Sequence, residues 1–534
     1  MSSLKNRNSH VFLEINKETD WASLDKNLFL PPRTFPSRFE IKTDRFICCG
    51  YFISYNTKLT PNQVAQYCQK NNWSYLASLV GDFLIFSFDL KERSINVLTD
   101  QFGKFPVFFQ KDSRRLVLST NFKKIKDSIN SPLLDYDTTF DFISRGALIT
   151  DKTLISQIKQ VPPATLLKIN SNFSLELTSL QDLRSFLSID PPKYKSLSEF
   201  SLDFLNMFSK IVSEKLAAIR ELSFGSDLSS GFDSSLVSYT LRQSYRKDFH
   251  CYCGISKYTT DDTDSKIVKE FAQKHNLKVK FINEDSMFPF SSKEDAYWAK
   301  TTPGQIAHGL MYNFYKHIVD DANNIEFIGE GGDEVYKSPE MNLLGPFPIQ
   351  EEYFWIVKRL NSGIKNIFTK KGVDYLLDHR RFQNKKVFPS IVAPSAILVN
   401  LELFPLLWDL KLWTVTPFMD PRLIQIARGI PKGAKQFSKQ EIWKEHGEIF
   451  TPSQFKPKKG PIGLMHRFIV RNKKILIRIL DKSLLAQNDF VKAEDIIKDL
   501  KENNLEKYFK GDTASFLLNL IKLEYFLQEN NINS

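Results

Sequence analysis

The chain changes its hydrophobic rhythm near residue 197. Before that point apolar residues come in short runs, "RFICCGYFISY", "GDFLIFSFDL", "SINVLTD", "FPVFFQ" and "RLVLSTN", rich in aromatic and β-branched residues and divided by turn formers. Runs of this kind predict strands. One helix is predicted near 60–72, "TPNQVAQYCQKN", with Thr60 as its cap and Pro61 at the first helical position. Residues 37–175 therefore read as a small β-rich domain, after a polar, Pro-punctuated extended arm over 1–36 and before a polar linker over 176–200. Beyond the linker, "LSEFSLDFLNMFSKIVSEKLAAI" carries the period of an amphipathic helix. Strands then alternate with helices: a strand near 222–228, a helix from about 233, strands at "FHCYCGIS" and "KVKFIN", helices at "DSKIVKEFAQKHN" and near 306–320, and a strand at "IEFIG". That order predicts an α/β domain over 201–534 with a doubly wound parallel sheet, mostly helical beyond about 340.

Composition narrows the class. A chain of 534 residues, 42% apolar and 25% charged, is expected to fold as two to four soluble domains. Its 45 Phe point to large aromatic cores. The net charge of +12 is moderate, and the basic residues lack the aromatic interleaving of nucleic-acid readers, so no nucleic-acid partner is expected. The cysteines are Cys48, Cys49, Cys68, Cys251 and Cys253, an odd number at low density with no second pair to complement Cys251 and Cys253. A zinc site is not expected and a reducing compartment is. No apolar run reaches the roughly 18 residues that span a bilayer, and no signal-peptide pattern is present; the expectation is a cytoplasmic protein without a membrane partner.

Three stretches carry candidate chemistry. "LSSGFDSSLV", residues 228–237, sits where a strand gives way to a helix. Small residues let backbone N–H groups face a phosphate, and a helix start aims its positive end at the same place. It is no Walker loop, because G-K-S/T is missing. By itself it reads equally as a Ser-rich turn or a phosphate cradle. "FIGEGGDEVY", residues 327–336, runs an apolar strand into Gly329 and then into acids and glycines. Acids clustered at a strand end make little sense as packing and good sense around a metal–nucleotide. "FKPKKGPIG", residues 455–463, is a basic loop.

Together these stretches resemble the asparagine synthetase family, whose members convert ATP to AMP and pyrophosphate. S-S-G-F-D-S-S is similar to the family's S-G-G-x-D-S-S pyrophosphate loop, with Ser230 in place of the first Gly of the pair. Ser fits there if its backbone angle is negative or mildly left-handed. "GEGGDE" resembles G-E-G-A-D-E, and "KPKKG" resembles R-P-K-x-G. The resemblance implies that Leu228, Ser229, Ser230, Gly231, Asp233, Ser234, Ser235, Gly329 and Gly331 bind ATP and its pyrophosphate. It implies that Asp233 and Asp333 hold Mg2+, and that Lys458 stabilises charge at the α-phosphate. "TPFMDPRLIQIARGIP", 416–431, and the following "SKQEIWKE" match further family segments and read as scaffold, with Asp420 structural.

In the first domain, "GDFLIFSFD", "DQFGKFPVFF" and "LISQIKQVPPATLL" resemble family segments in order, which implies a glutamine-amidotransferase (Ntn-like) fold. Glutamine-dependent members carry Cys after the initiator Met. Position 2 is Ser here, Cys48 and Cys49 are internal, and the stretch between Gly50 and Gly81 is too short for the family's glutamine-clamp segments. The expectation is a degenerate, inactive glutaminase ahead of an ATP-pyrophosphatase (adenine nucleotide alpha hydrolase-like) domain. Relatives with this loss close rings. The short first domain, the "DLSSG" loop and Gly332 in "GEGGDE" most resemble the lasso-peptide macrolactam cyclases. β-Lactam synthetases place a Tyr at position 330; Glu330 stands here, as in asparagine synthetase, where a carboxylate can orient or deprotonate an attacking amine. A linear peptide or amino-acid-like substrate, a leader-peptide-binding protein and a leader peptidase are the implied partners. Ammonia-dependent asparagine synthesis, small-molecule amidotransfer, a β-lactam-synthetase-like reaction and a non-catalytic nucleotide- or peptide-binding relative stand as alternatives. A pyrophosphatase-loop enzyme acting on tRNA is disfavoured.

Overall fold

The structure, a computed structural model, describes residues 12–16, 28–29, 38–113, 115–145, 148, 150–180, 186, 188–219, 222–255, 262–283, 308–337, 364–378, 403–431, 439–456, 461–508 and 513–532. The β-rich part contains two antiparallel sheets. One has the order β2-β1-β8-β7-β9, from β1 (Phe12–Asn16), β2 (Leu28–Phe29), β7 (Val107–Lys111), β8 (Arg115–Ser119) and β9 (Ile158–Val161). The other has the order β11-β10-β6-β5-β4-β3, from β3 (Arg38–Lys42), β4 (Phe46–Ser54), β5 (Gly81–Asp89), β6 (Ser94–Thr99), β10 (Thr165–Ile169) and β11 (Leu175–Ser179). Alternate residues of both sheets meet in one core, where Ile15, Leu118 and Phe109 join Cys49, Leu84 and Val97.

The opposite faces are covered too, which is why β4 and β5 are apolar on both sides. Helices α1 (Pro61–Gln69) and α2 (Trp73–Ala77) pack Val64, Cys68 and Leu76 against Cys48, Phe83 and Ile85. The start of α1 obeys its sequence: Thr60 caps it, Gln63 closes a capping box and Pro61 occupies the first turn. On the other sheet, α3 (Phe122–Lys126) and α4 (Tyr136–Arg145) share a core with the end of the chain. Two stretches read as arm and linker contribute strands. Phe12–Asn16 pairs with β8 over five residues and Leu175–Ser179 pairs with β10, so the sandwich draws on residues outside 37–175 at both ends.

The second domain opens on α5 (Leu197–Ile219). Phe200, Phe204, Phe208 and Ile211 form its buried stripe, and Phe204 lies parallel to Phe208 and meets Trp443 edge-on. Each buried Phe contributes about 1.5–3 kcal/mol, so Phe204→Ala would cost about 3–5 kcal/mol. Its sheet is parallel, in the order β14-β13-β12-β15-β16: β12 (Phe224–Asp227), β13 (His250–Ile255), β14 (Lys278–Asn283), β15 (Ile325–Phe327) and β16 (Trp413–Val415). Helices α6 (Phe232–Ser244), α7 (Asp262–His275) and α8 (His308–Asp320) follow β12, β13 and β14. The strand order reverses between β12 and β15, and ligands of doubly wound sheets gather beyond the strand ends at that place.

Among the described residues the α/β part and its flank also carry α9 (Gly332–Lys337), α10 (Lys370–Leu377), α11 (Pro421–Ala427) and α12 (Lys439–Trp443). The chain ends in α13 (Pro461–Asp481), α14 (Leu484–Gln487), α15 (Ala493–Glu502) and α16 (Thr513–Glu529). These return to the sandwich, where Phe526 packs on Phe122 and Asn519 donates to the Ile143 carbonyl. Among the described residues no helix is long and apolar enough to cross a membrane.

Candidate active site

The β12–α6 junction builds the first half of the site. Leu228 is buried and its N–H bonds the Tyr252 carbonyl on β13, which holds the loop in line with the sheet. Gly231 is the N-cap of α6 and offers no side-chain acceptor, so the helix start keeps its positive end open toward the loop. The serines brace the turn. Ser229 N donates to Ser234 Oγ at 2.9 Å, the two hydroxyls lie 2.8 Å apart, Gly231 N donates to Ser229 Oγ, and Ser235 Oγ donates to the Ser229 carbonyl. Gln454 fastens the far side by donating to Ser235 Oγ at 2.9 Å. These N–H and O–H donors are the groups that a pyrophosphate oxygen can take over.

Ser230 sits in this turn without a positive φ, so its Cβ imposes no left-handed strain. Its hydroxyl donates to the Asp264 carboxylate in the first turn of α7. The substitution of Ser for Gly is thus absorbed by a partner from the next helix.

The β15 end builds the second half. Gly329 is pressed against the start of α6; a Cβ there would lie 2.7 Å from Ser234 N. Gly331 has φ +88, a conformation that Gly adopts at no steric cost. A Cβ on Gly332 would come within 2.4 Å of Asp233 Cγ, so this glycine makes room for the carboxylate. Asp233 and Asp333, in the first turns of α6 and α9, converge on one cation. The Lys439 ammonium bonds Asp233 Oδ2 and reaches Asp333 Oδ1 at 2.6 Å. Asp233 and Lys439 are mostly buried, with side chains 20% and 18% exposed, whereas Asp333 is 59% exposed. Two hard oxygen donors about one positive centre form a donor set that suits Mg2+ when phosphate oxygens complete it.

Glu330 is half-buried and lines a cavity of about 20 Å3 beyond β15 and β16, with Lys104, Ile328, Thr416, Phe404 and Trp408 around it. Lys458 lies outside the described residues. Lys439 and Gln454 are the site residues that motif reading missed. Lys439 opens α12, in the "SKQEIWKE" stretch read as scaffold, and only its basic character at a helix start hinted at more.

Behind the site two acids are buried on adjacent strands. Glu326 on β15 is fully buried, and burial first, then the neighbouring Asp227 charge, holds its carboxyl far above the usual range. Asp227, at the end of β12, is its neighbour, and burial pushes that carboxyl's own pKa up to about 7. Elsewhere Ser201, His446 and Glu448 form a hydrogen-bonded chain of 2.7 and 2.9 Å, in the order of a nucleophile triad. Ser201 is fully buried and its hydroxyl bonds the Ser198 carbonyl, so the chain ties α5 to the segment after α12. Asp420 caps α11 and grips Arg422, which also reaches Glu214.

Residues 206–343 match the family model of asparagine synthase, and residues 62–177 match that of a glutamine amidotransferase domain. Together they support the asparagine synthetase family. The asparagine synthase match contains the serine loop, Glu330 and both aspartates, while Lys439 and Gln454 lie past its end. No curated protein matches the chain in sequence. Among solved structures it is similar to the U34-tRNA thiolase NcsA from Methanococcus maripaludis, at 11% identity over 57% of this chain and 80% of that one, TM-score 0.24. It is also similar to glutamine phosphoribosylpyrophosphate amidotransferase from B. subtilis, at 9% identity over 55% of this chain and 64% of that one, TM-score 0.18. At such TM-scores neither likeness carries weight for fold or function.

Proposed function

We propose that the chain is an ATP-dependent amide ligase that closes a macrolactam ring on a linear peptide. A substrate carboxylate oxygen attacks the α-phosphorus of ATP and pyrophosphate leaves. The N-terminal amine of the same peptide then attacks the acyl carbon of the adenylate, AMP leaves, and the amine gives up a proton. The observation that carries this reading is the meeting of Asp233 and Asp333, from two strand ends, on Lys439 beside the serine loop. In the reaction the loop N–H and hydroxyl groups of Ser229, Gly231 and Ser234 hold the pyrophosphate, and Lys439 offsets its charge. Mg2+, when bound, supplies further charge neutralisation on the phosphates; Asp233 and Asp333 would hold it. Lys458 is assigned to the α-phosphate, and Glu330 orients the amine and accepts its proton.

An amine that arrives with the substrate accords with the first domain. Cys48 and Cys49 lie inside β4, buried and paired with β3 and β5 on both sides, so neither offers the free α-amine of an N-terminal nucleophile. The small cavity at Glu330 favours a second reading, in which the amine is free ammonia and the reaction is asparagine synthesis; about 20 Å3 holds one water-sized molecule. The discriminating experiment follows pyrophosphate release from ATP with two probe sets: linear peptides bearing a free N-terminus and an Asp or Glu side chain, and aspartate with ammonium. A peptide product lighter by one water supports ring closure. Asparagine formed from aspartate and ammonium, with peptides inert, overturns it in favour of the second reading.

A further inference from the structure

Lysine is seldom buried without a reason. Lys104, on the turn between β6 and β7 of the glutaminase-like domain, is only 9% exposed, and burial lowers its pKa while Asp82 and Asp100 oppose that shift. Its ammonium crosses into the other domain. It donates to the Thr414 carbonyl at 2.7 Å and to the Thr414 hydroxyl, 310 residues further along the chain. Thr414 is the middle residue of β16, the edge strand of the parallel sheet. An edge strand has outward carbonyls that need partners once they are covered, and Lys104 supplies one.

A second tie runs beside the first. Trp413 Nε1 donates to Asp82 at 2.8 Å, Tyr55 donates to the same carboxylate oxygen, and the Lys215 ammonium of α5 lies 3.7 Å above the Tyr55 ring. On its inner side β16 is bonded to the strand that carries the site: Ile328 N donates to the Val415 carbonyl at 3.0 Å, two residues before Glu330. Lys104 and Glu330 line the same cavity.

We propose that Lys104 is a positioning residue for the synthetase site: by anchoring Thr414 it fixes β16, and through the Ile328–Val415 bond it fixes the turn that presents Glu330. The glutaminase-like domain is thereby required for chemistry next door. The catalytic half of this inference rests on the ligase reading above; the mechanical half does not.

The test uses the full-length chain carrying Lys104→Met, which keeps the stem and removes the charged donor. Backbone hydrogen exchange at Trp413 and Ile328 should accelerate roughly ten- to a hundredfold, the weight of a charge-assisted hydrogen bond. Exchange in β13 should stay as in the wild type. With whichever carboxylate supports pyrophosphate release, kcat should fall while KM for ATP holds, a split that mere loss of stability does not produce. Thr414→Val, which removes only the hydroxyl, should reproduce the exchange pattern at smaller size and serves if Lys104→Met fails to fold. Unchanged exchange at Trp413 and Ile328, or equal acceleration throughout the sheet, overturns the proposal. If the wild type releases no pyrophosphate with any probe, the ligase reading falls, and the exchange pattern still decides whether Lys104 holds β16.

Discussion

Lys439 is the point where the site can be opened with least collateral change. Lys439→Met keeps the aliphatic stem and deletes the charge that Asp233 and Asp333 share. Two unit charges about 4 Å apart attract by about 4 kcal/mol at the effective dielectric near a protein surface. Asp333, 59% exposed, retains most of its water, so its share is about 0–1 kcal/mol. The mostly buried Asp233–Lys439 pair contributes more, about 2 kcal/mol after desolvation. The ligand-free variant should therefore lose about 2–3 kcal/mol of stability. Asp233→Asn should cost more than Asp333→Asn, in the order of their burial. The variant also removes the ammonium that the two carboxylates share. Added MgCl2 should then raise its melting temperature more than that of the wild type, in which lysine competes for the same oxygens. Pyrophosphate release should fall by about 10²–10³, the usual loss when one preorganised charge partner is removed. Differential scanning calorimetry with and without MgCl2, together with the release assay, reads all three effects. A variant as stable as the wild type, equally indifferent to MgCl2 and fully active would refute the convergence of charge described here.

The buried Asp227–Glu326 pair makes stability depend on pH. Because burial raises the Asp227 pKa from the ordinary carboxylate value to about 7, its favourable contribution is full below pH ~4 and is lost as pH rises to ~7. Denaturant unfolding should show wild-type stability falling on the order of 2–4 kcal/mol more than that of Asp227→Asn across that window; equal slopes would contradict the assignment. Ser230→Gly removes the bond to Asp264 and adds backbone freedom, so unfolding should show a loss of about 1 kcal/mol with Mg-ATP binding retained. Gly332→Ala must displace the Asp233 carboxylate and should lower pyrophosphate release by ~10²-fold; unaltered turnover would show that the close approach is dispensable.

Local chemistry made much of the fold legible. Thr60, Pro61 and Gln63 announce α1, and the serine-rich turn between an apolar strand and a helix announces the loop at the sheet's switch point. Whether Ser230 fits its turn is decided by a backbone angle and by a partner 34 residues away, neither of which local sequence encodes. Lys439 was opaque for a stronger reason. It meets Asp233 across 206 residues of sequence, and no local period or cap encodes such a meeting. Phe12–Asn16 was hidden because an isolated five-residue strand among polar neighbours gains its definition from β8, which lies a hundred residues later. Asp227 and Glu326 break the apolar habit of buried parallel strands, and their neighbours in the sequence give no warning that they face each other.

Asp233 and Asp333 are proposed to make a nucleotide-activating centre. Its most direct test is pyrophosphate release from Mg-ATP by the wild type and by Asp333→Ala, with nucleotide binding followed by calorimetry on both. The wild type should show substrate-dependent release and Asp333→Ala none above background, with ATP still bound. Full release by Asp333→Ala would contradict it.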